Sequence, residues 1–134
     1  MFLKPDEINL VNSQLLSDEK IQYSTKQDIL KFKINPTIFA ITNKRVIIIK
    51  RLPFNIKSNV DMIGFKDIAS VQIANGLVLS SVLLRVFGTS AKEDNGTPKE
   101  GIVEGLNKED AKIATKMIDD IVINSKNFEA EISD

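Results

Sequence analysis

The chain contains no cysteine, no histidine and no tryptophan. Without cysteine it forms no disulfide, presents no thiolate nucleophile and builds no cysteine-ligated metal site. Without histidine it lacks the commonest general base and the commonest metal ligand. No glycine-rich phosphate loop, dinucleotide fingerprint or nucleophile elbow is present. Its net charge is zero, 18 basic against 18 acidic side chains, which argues against a protein held to nucleic acid by bulk charge. Aromatic residues are scarce, with seven Phe and one Tyr, and most lie beside aliphatics in β-rich runs. These read as core rather than as stacking platforms. No apolar run reaches the ~18 residues that span a bilayer, and the opening MFLKPDEINLV has no signal-length apolar stretch. The expectation is a cytoplasmic protein with no enzymatic activity, no cofactor, no metal and no nucleic-acid partner.

What is present suits one domain with a real core: 134 residues, 43% hydrophobic and 27% charged. The charge is unevenly spread. Residues 1–67 carry eleven Lys and Arg against seven Asp and Glu, and residues 68–134 reverse those numbers. The bland meaning is that exposed faces need charge; the sharper one is a pole turned toward a membrane or a partner.

Residues 38–52, IFAITNKRVIIIKRL, fix the fold class. Branched side chains at this density favour a pleated strand. Two such runs meet at Thr42-Asn43-Lys44-Arg45, where Asn43 tolerates the positive φ of a tight hairpin. Upstream, 5–16 reads as a short amphipathic helix. Pro5 suits a first turn, Asp6 and Glu7 suit its positive end, and Ile8, Val11 and Leu15 form the packing stripe. Residues 19–25 alternate as a half-buried strand, with Ile21, Tyr23 and Thr25 on one face. The stretch 26–35 is ambiguous, and Asn35-Pro36 breaks it.

Further along, Pro53 ends the hairpin and 54–59 reads as a loop. Strands follow at 62–65, 67–74, 77–87 and 102–106, and Asn75-Gly76 is a strong turn signal. The polar stretch 88–101 reads as an exposed loop. Asn107 caps a helix over 108–124, with Asp110 placed for reciprocal capping. Ala111, Ala114, Ile118 and Ile121 form its apolar stripe, flanked by Ile113, Met117 and Val122. The acidic tail 126–134 is frayed or a weak extension of that helix. The order is helix, about seven strands, helix. Short turns imply antiparallel pairing, and the exposed edges are resolved either by bending into a barrel or by packing two sheets.

That order, with the strand EKIQYST, the T-N-K-R turn before an aliphatic strand, the segment FKDIASVQI running to Gly76, and the helix KEDAKIATKMIDDIV, resembles the prokaryotic pleckstrin-homology-like domains. The resemblance covers residues 17–125, leaving 1–16 as an N-terminal helical extension and 126–134 as an acidic C-terminal tail. It implies a mainly β fold: a bent seven-stranded antiparallel barrel with a C-terminal capping helix. In eukaryotic relatives the open end binds phosphoinositide head groups through basic residues of the first hairpin, here Lys26, Lys31 and Lys33. This chain has Ile34-Asn35 where those relatives carry an Arg, and no Trp in its terminal helix.

Candidate sites follow from residue chemistry. Lys26, Lys31, Lys33, Lys44 and Arg45 are the candidates for holding an anion or an anionic lipid surface. Lys50, Arg51 and Lys57 form a second basic group. Phe32, Phe54, Ile56 and Phe128 are candidate interface residues. The carboxylate pairs Glu109-Asp110 and Asp119-Asp120 point apart on a helix and make no acid–base dyad. The expected role is a non-catalytic module that contacts a protein partner or a second copy of itself. Binding of anionic phospholipid or phosphate by the basic loops is the alternative.

Overall fold

The computed structural model describes residues 1–28, 35–51, 58–87 and 101–133, with side chains up to residue 125. The order is α1 (Pro5–Asn12), β1 (Ile21–Lys26), β2 (Ile38–Thr42), β3 (Arg45–Arg51), β4 (Ser58–Gly64), a single 3-10 turn (Phe65–Asp67), β5 (Ile68–Asn75), β6 (Leu79–Val86), β7 (Ile102–Asn107) and α2 (Lys108–Ser133). Among the described residues no helix is long and apolar enough to cross a membrane.

Among the described residues the strands do not close into one barrel. They form two antiparallel sheets, β1-β2-β3-β4 and β5-β6-β7. Of the two ways to resolve the edges, the chain takes packed sheets. One corner is tied: the Asp28 N–H donates to the Gly105 carbonyl at 2.9 Å, and Gln27 Nε2 to the Glu104 carbonyl at 3.0 Å. Gly105 sits at φ +70°, a conformation glycine adopts without strain. The chain also passes directly from β4 through the 3-10 turn into β5.

β2 and β3 are buried on both faces, which is why their sequence is a continuous apolar run rather than an alternation. On the inner face, Phe39, Ile41, Val46 and Ile48 join Ile68, Val82, Leu84, Val103 and Leu106 of the second sheet. Ala111, Ala114, Ile118 and Val122 of α2 complete this core. On the outer face, Ile38, Ala40, Ile47 and Ile49 pack under Val11, with Leu3, Leu10 and Leu15 around them. The first helix therefore packs on its own sheet.

Several local expectations shift for identifiable reasons. Ile21 and Tyr23 were expected to share a face. A β-bulge between them sends Ile21 to the outer cluster and Tyr23 to the inner one. β4 begins at Ser58, inside the expected loop, because β3 supplies a backbone partner along its whole length, from Arg51↔Ser58 to Arg45↔Gly64. Phe65 falls in the 3-10 turn rather than in a strand. The Asn75-Gly76 turn forms, closed by Gly76 N–H to the Leu79 carbonyl at 2.9 Å. A Cβ on Gly76 would stand 2.8 Å from that carbonyl oxygen, so the tight approach selects glycine. Leu77 and Val78 belong to the turn, not to β6. On α2 the stripe centres on Ala111, Ala114, Ile118 and Val122, with Ile121 half-buried and Ile113 exposed. The helix continues through Ser133. Of the stretch 88–101 expected to be a loop, all but Gly101 lies outside the described residues.

Candidate interaction surfaces

The basic candidates were expected to stand free in solvent. Lys26 does not. Its register partner is Ile38, so it points to the outer face of the first sheet beneath α1. Lys26 Nζ donates to Glu7 Oε1 at 2.8 Å, with side-chain exposures of 3% for Lys26 and 4% for Glu7. Arg51 Nη2 reaches Glu7 Oε2 at 2.9 Å and the Pro36 carbonyl at 3.1 Å. The Lys4 N–H adds a third donor to the same carboxylate at 2.8 Å. Burial is the largest influence on Glu7 and pushes its pKa up; the Lys26 hydrogen bond, the Lys4 N–H and the two cationic charges outweigh it and hold the carboxyl below its ordinary value. Arg51 Nε is buried and has no hydrogen-bond partner among the described residues.

Expecting Ile8, Val11 and Leu15 to be the packing stripe of α1 was therefore only partly correct. Glu7 and Val11, four residues apart, face the sheet, and Ile8 is 41% exposed. The helical period admits either stripe. The cations of Lys26 and Arg51, brought together by tertiary structure, decide for the one containing Glu7.

At the other end of β3, Arg45 is equally engaged. Its Nε and Nη2 grip Glu19 at 3.0 and 2.9 Å, and Nη2 also donates to the Gln14 carbonyl at 2.8 Å. Glu19 further accepts from Thr42 Oγ1 at 2.6 Å and the Leu16 N–H at 3.0 Å. Burial pushes the Glu19 pKa up, and these donors, Arg45 first, bring it below its ordinary value. The hairpin turn is held by Thr42, whose hydroxyl oxygen accepts from the Lys44 and Arg45 N–H groups at 3.0 Å each. Asn43 instead ties the turn to the adjoining chain, accepting from the Lys20 N–H at 2.8 Å. Lys44 pairs with Asp18 at 2.7 Å on the exposed surface, and its hydrogen bond is the main reason the Asp18 pKa is lowered.

Arg45, Ile47, Ile49 and Arg51 thus alternate onto one face of β3: two arginines bracketing an aliphatic floor, each pinning part of residues 7–19. Sequence reading put Arg45 and Arg51 in separate basic groups. The period of two along β3 was the signal that would have joined Arg45 to Arg51.

A third polar cluster lies inside. Asn107 caps α2 as expected, accepting from the Glu109 N–H at 2.8 Å. Asp110 does not close the capping box. It turns to β1 and accepts from Tyr23 Oη at 2.6 Å, Thr25 Oγ1 at 2.8 Å and the Met1 ammonium group. Burial raises the Asp110 pKa, and these donors override it and lower it. The same geometry, burial first and then the adjoining Asp110 carboxylate, raises the Tyr23 pKa. This cluster fastens the start of α2 to the first sheet.

Lys31, Phe32, Lys33, Phe54, Ile56 and Lys57 lie outside the described residues, as does the side chain of Phe128. Two large apolar side chains that sequence reading placed in a strand stand in solvent instead. At the β5–β6 turn Leu77 is 100% and Val78 59% exposed. Phe2 and Phe87 are also exposed. β4 pairs with β3 on one side and with no other strand among the described residues.

Compared with known proteins, residues 15–120 match a family model described as a bacterial PH domain. Among solved structures the chain is similar to a DUF1696 family protein with a pleckstrin-homology domain from Shewanella loihica PV-4. The TM-score is 0.59 at 16% sequence identity, covering 90% of this chain and 94% of the other. At that identity the likeness is one of fold. No curated protein matches the chain.

Proposed function

The chain belongs to the bacterial PH domain family, and on that premise we propose that it is a non-catalytic binding or assembly module acting through protein contacts, including contacts with its own copies. The observation that carries this reading is the edge of β4, a seven-residue strand paired on one side only among the described residues. Such an edge is a row of backbone donors and acceptors ready to pair with another strand. Ser58, Asn59 and Met62 along it are exposed, so an incoming strand meets no cover from their side. The exposed Leu77 and Val78 offer a second apolar contact.

The ion pairs weigh against the electrostatic alternative. Each described member of the basic set, Lys26, Lys44 and Arg45, already holds a carboxylate at 2.7–3.0 Å. A phosphate would have to displace that partner first. Recruitment by anionic lipid would therefore rest on Lys31 and Lys33.

Light scattering coupled to gel filtration at tens of micromolar tests the reading. The expected result is a dimer or larger species. Lysines introduced by Ser58→Lys with Asn59→Lys should weaken it at least tenfold without unfolding the domain, since charge on an edge opposes strand addition. A strict monomer sinks self-association. Salt-sensitive cosedimentation with anionic vesicles, abolished by Lys31→Glu with Lys33→Glu, would move the function to a lipid surface.

A further inference from the structure

The outer face of the first sheet combines an apolar floor with cations at both ends. Its floor is Ile38, Ala40, Ile47 and Ile49. Lys26 and Arg51 stand at one end of the floor and Arg45 at the other, all turned to the same side. A purely structural cover for such a floor needs only apolar side chains. This one instead demands a carboxylate, because two cations closed under a helix without a counter-charge would be strongly destabilising.

The segment that meets the demand is short. α1 is eight residues long and buries two side chains, Glu7 and Val11. A helix of that length is marginal on its own, so its attachment depends on those two anchors and the flanking leucines. It also lies outside residues 15–120, the stretch that matches the bacterial PH domain. Nor does it use every donor of the clamp, for Arg51 Nε remains without a partner among the described residues. A carboxylate seated slightly differently could take Nε and Nη2 together, the forked geometry that arginine favours.

We propose that this face is the docking site for an acidic amphipathic helix of a protein partner, and that α1 occupies it in cis as a displaceable stand-in. The proposal rests on the reading of the protein as a module for protein contacts and names the chemistry of one partner. The fitting helix carries a carboxylate four residues ahead of a branched aliphatic side chain, the spacing of Glu7 and Val11, which sets both on one helical face. Release of α1 would uncover the aliphatic floor and both cations at once. Apolar burial would then supply affinity, and the clamp would set register and reject helices without the acid.

The absence of native cysteine and tryptophan makes a labelled peptide a clean reporter. The peptide is a synthetic copy of residues 1–16 with a fluorophore, titrated by polarisation against the full-length chain. Full-length Glu7→Ala, whose own helix has lost its carboxylate, should bind it at least tenfold more tightly than the unmodified chain. A peptide carrying Glu7→Gln should bind that variant at least tenfold more weakly. If Glu7→Ala does not fold, Val11→Ala loosens α1 and keeps the clamp, with the same expectations. Absence of binding to a folded variant, or equal binding of both peptides, overturns the proposal.

Hydrogen exchange on the unmodified chain gives an independent reading. The amides of α1 should exchange at least tenfold faster than those of β2 and β3, and excess peptide should speed them further. Exchange of α1 only in step with β2 and β3 would overturn the proposal as well, because the helix would then leave only on global unfolding. The light-scattering result is separable. A monomer that binds the peptide retains the docking face and loses self-association, whereas an oligomer that ignores the peptide does the reverse.

Discussion

The two faces of β2 and β3 carry nearly the same side chains and are stabilised in different ways. Phe39, Ile41, Val46 and Ile48 on the inner face pack with apolar side chains of the second sheet and α2, beside Tyr23, whose hydroxyl donates to Asp110. Ile38, Ala40, Ile47 and Ile49 on the outer face meet a short helix whose buried anchors are one valine and one glutamate. The inner face is a core in the usual sense, non-directional and closely packed. The outer face is apolar contact plus an ion-pair latch, and a latch is directional. It fixes which segment may lie there and in what register. A face that had only to be hidden could have been hidden without charge. The docking role proposed above would fall to the outer side, where the cover is the short helix α1.

The comparison can be broken most severely from the inside. Phe39→Ala should lower stability by about 3–5 kcal/mol, because a void is left among partners that relax only partially. Guanidinium unfolding measures it, and a loss below about 1 kcal/mol would mean that the inner face is not the main core. On the outer face, Glu7→Ala should lower stability by about 3 kcal/mol by leaving Lys26 and Arg51 buried without a counter-charge.

Replacing all three charges, Glu7→Leu with Lys26→Met and Arg51→Leu, should return most of that loss, since well-packed apolar groups substitute for a buried ion pair at little net expense. Failure of the triple variant to recover would show that the latch contributes net stability. Acid separates the two cases further. Glu7 and Glu19 have folded pKa values below the ordinary 4.5. Between the folded and unfolded values the unfolded chain binds more protons, so stability rises with pH there. The contribution is complete above the unfolded value and is lost as pH falls from about 4.5 through the folded values. Acid unfolding followed by circular dichroism should show this fall in the unmodified chain, shallower in the triple variant.

The smallest effect is expected at the turn. Lys44→Ala breaks an exposed pair with Asp18 and should leave the unfolding midpoint unchanged within error, because water screens such pairs. A clear shift would mean that the turn is coupled to the Arg45–Glu19 network beside it.

Much of the fold was legible. The aliphatic density around Thr42–Arg45 announced a hairpin, Asn75-Gly76 a second, and the cap Asn107 the start of the final helix. Each signal is local: side-chain stiffness, turn chemistry, a helix end. Little of the candidate site was legible. Lys26 read as a solvent-facing cation because a lysine in sequence shows no partner, and Glu7, nineteen residues away, pairs with it only after α1 folds back. Hydrophobicity alone puts Ile8 in the packing stripe and Glu7 at the helix end, and only the buried cations turn Glu7 to the sheet. Asp110 read as a cap, and its true partners, Tyr23 and Thr25, lie 87 and 85 residues earlier. Leu77 and Val78 read as strand because their composition is that of a strand, whereas the hydrogen bond from Gly76 N–H to the Leu79 carbonyl encloses them in the turn.

From the order of residues alone came the elements and their kind: a short helix, short strands joined by tight connections, and a long amphipathic helix. These depend on side-chain branching, periodicity and capping, all set within a few residues of one another. The tertiary structure decided that the strands part into sheets of four and three instead of one barrel, that the outer face of β2 and β3 is covered by α1, and which carboxylates Lys26, Arg45 and Arg51 hold. Those outcomes depend on how charges and apolar faces from distant parts of the chain satisfy one another, and that balance exists only once they have been brought together in a medium where an unpaired charge is expensive.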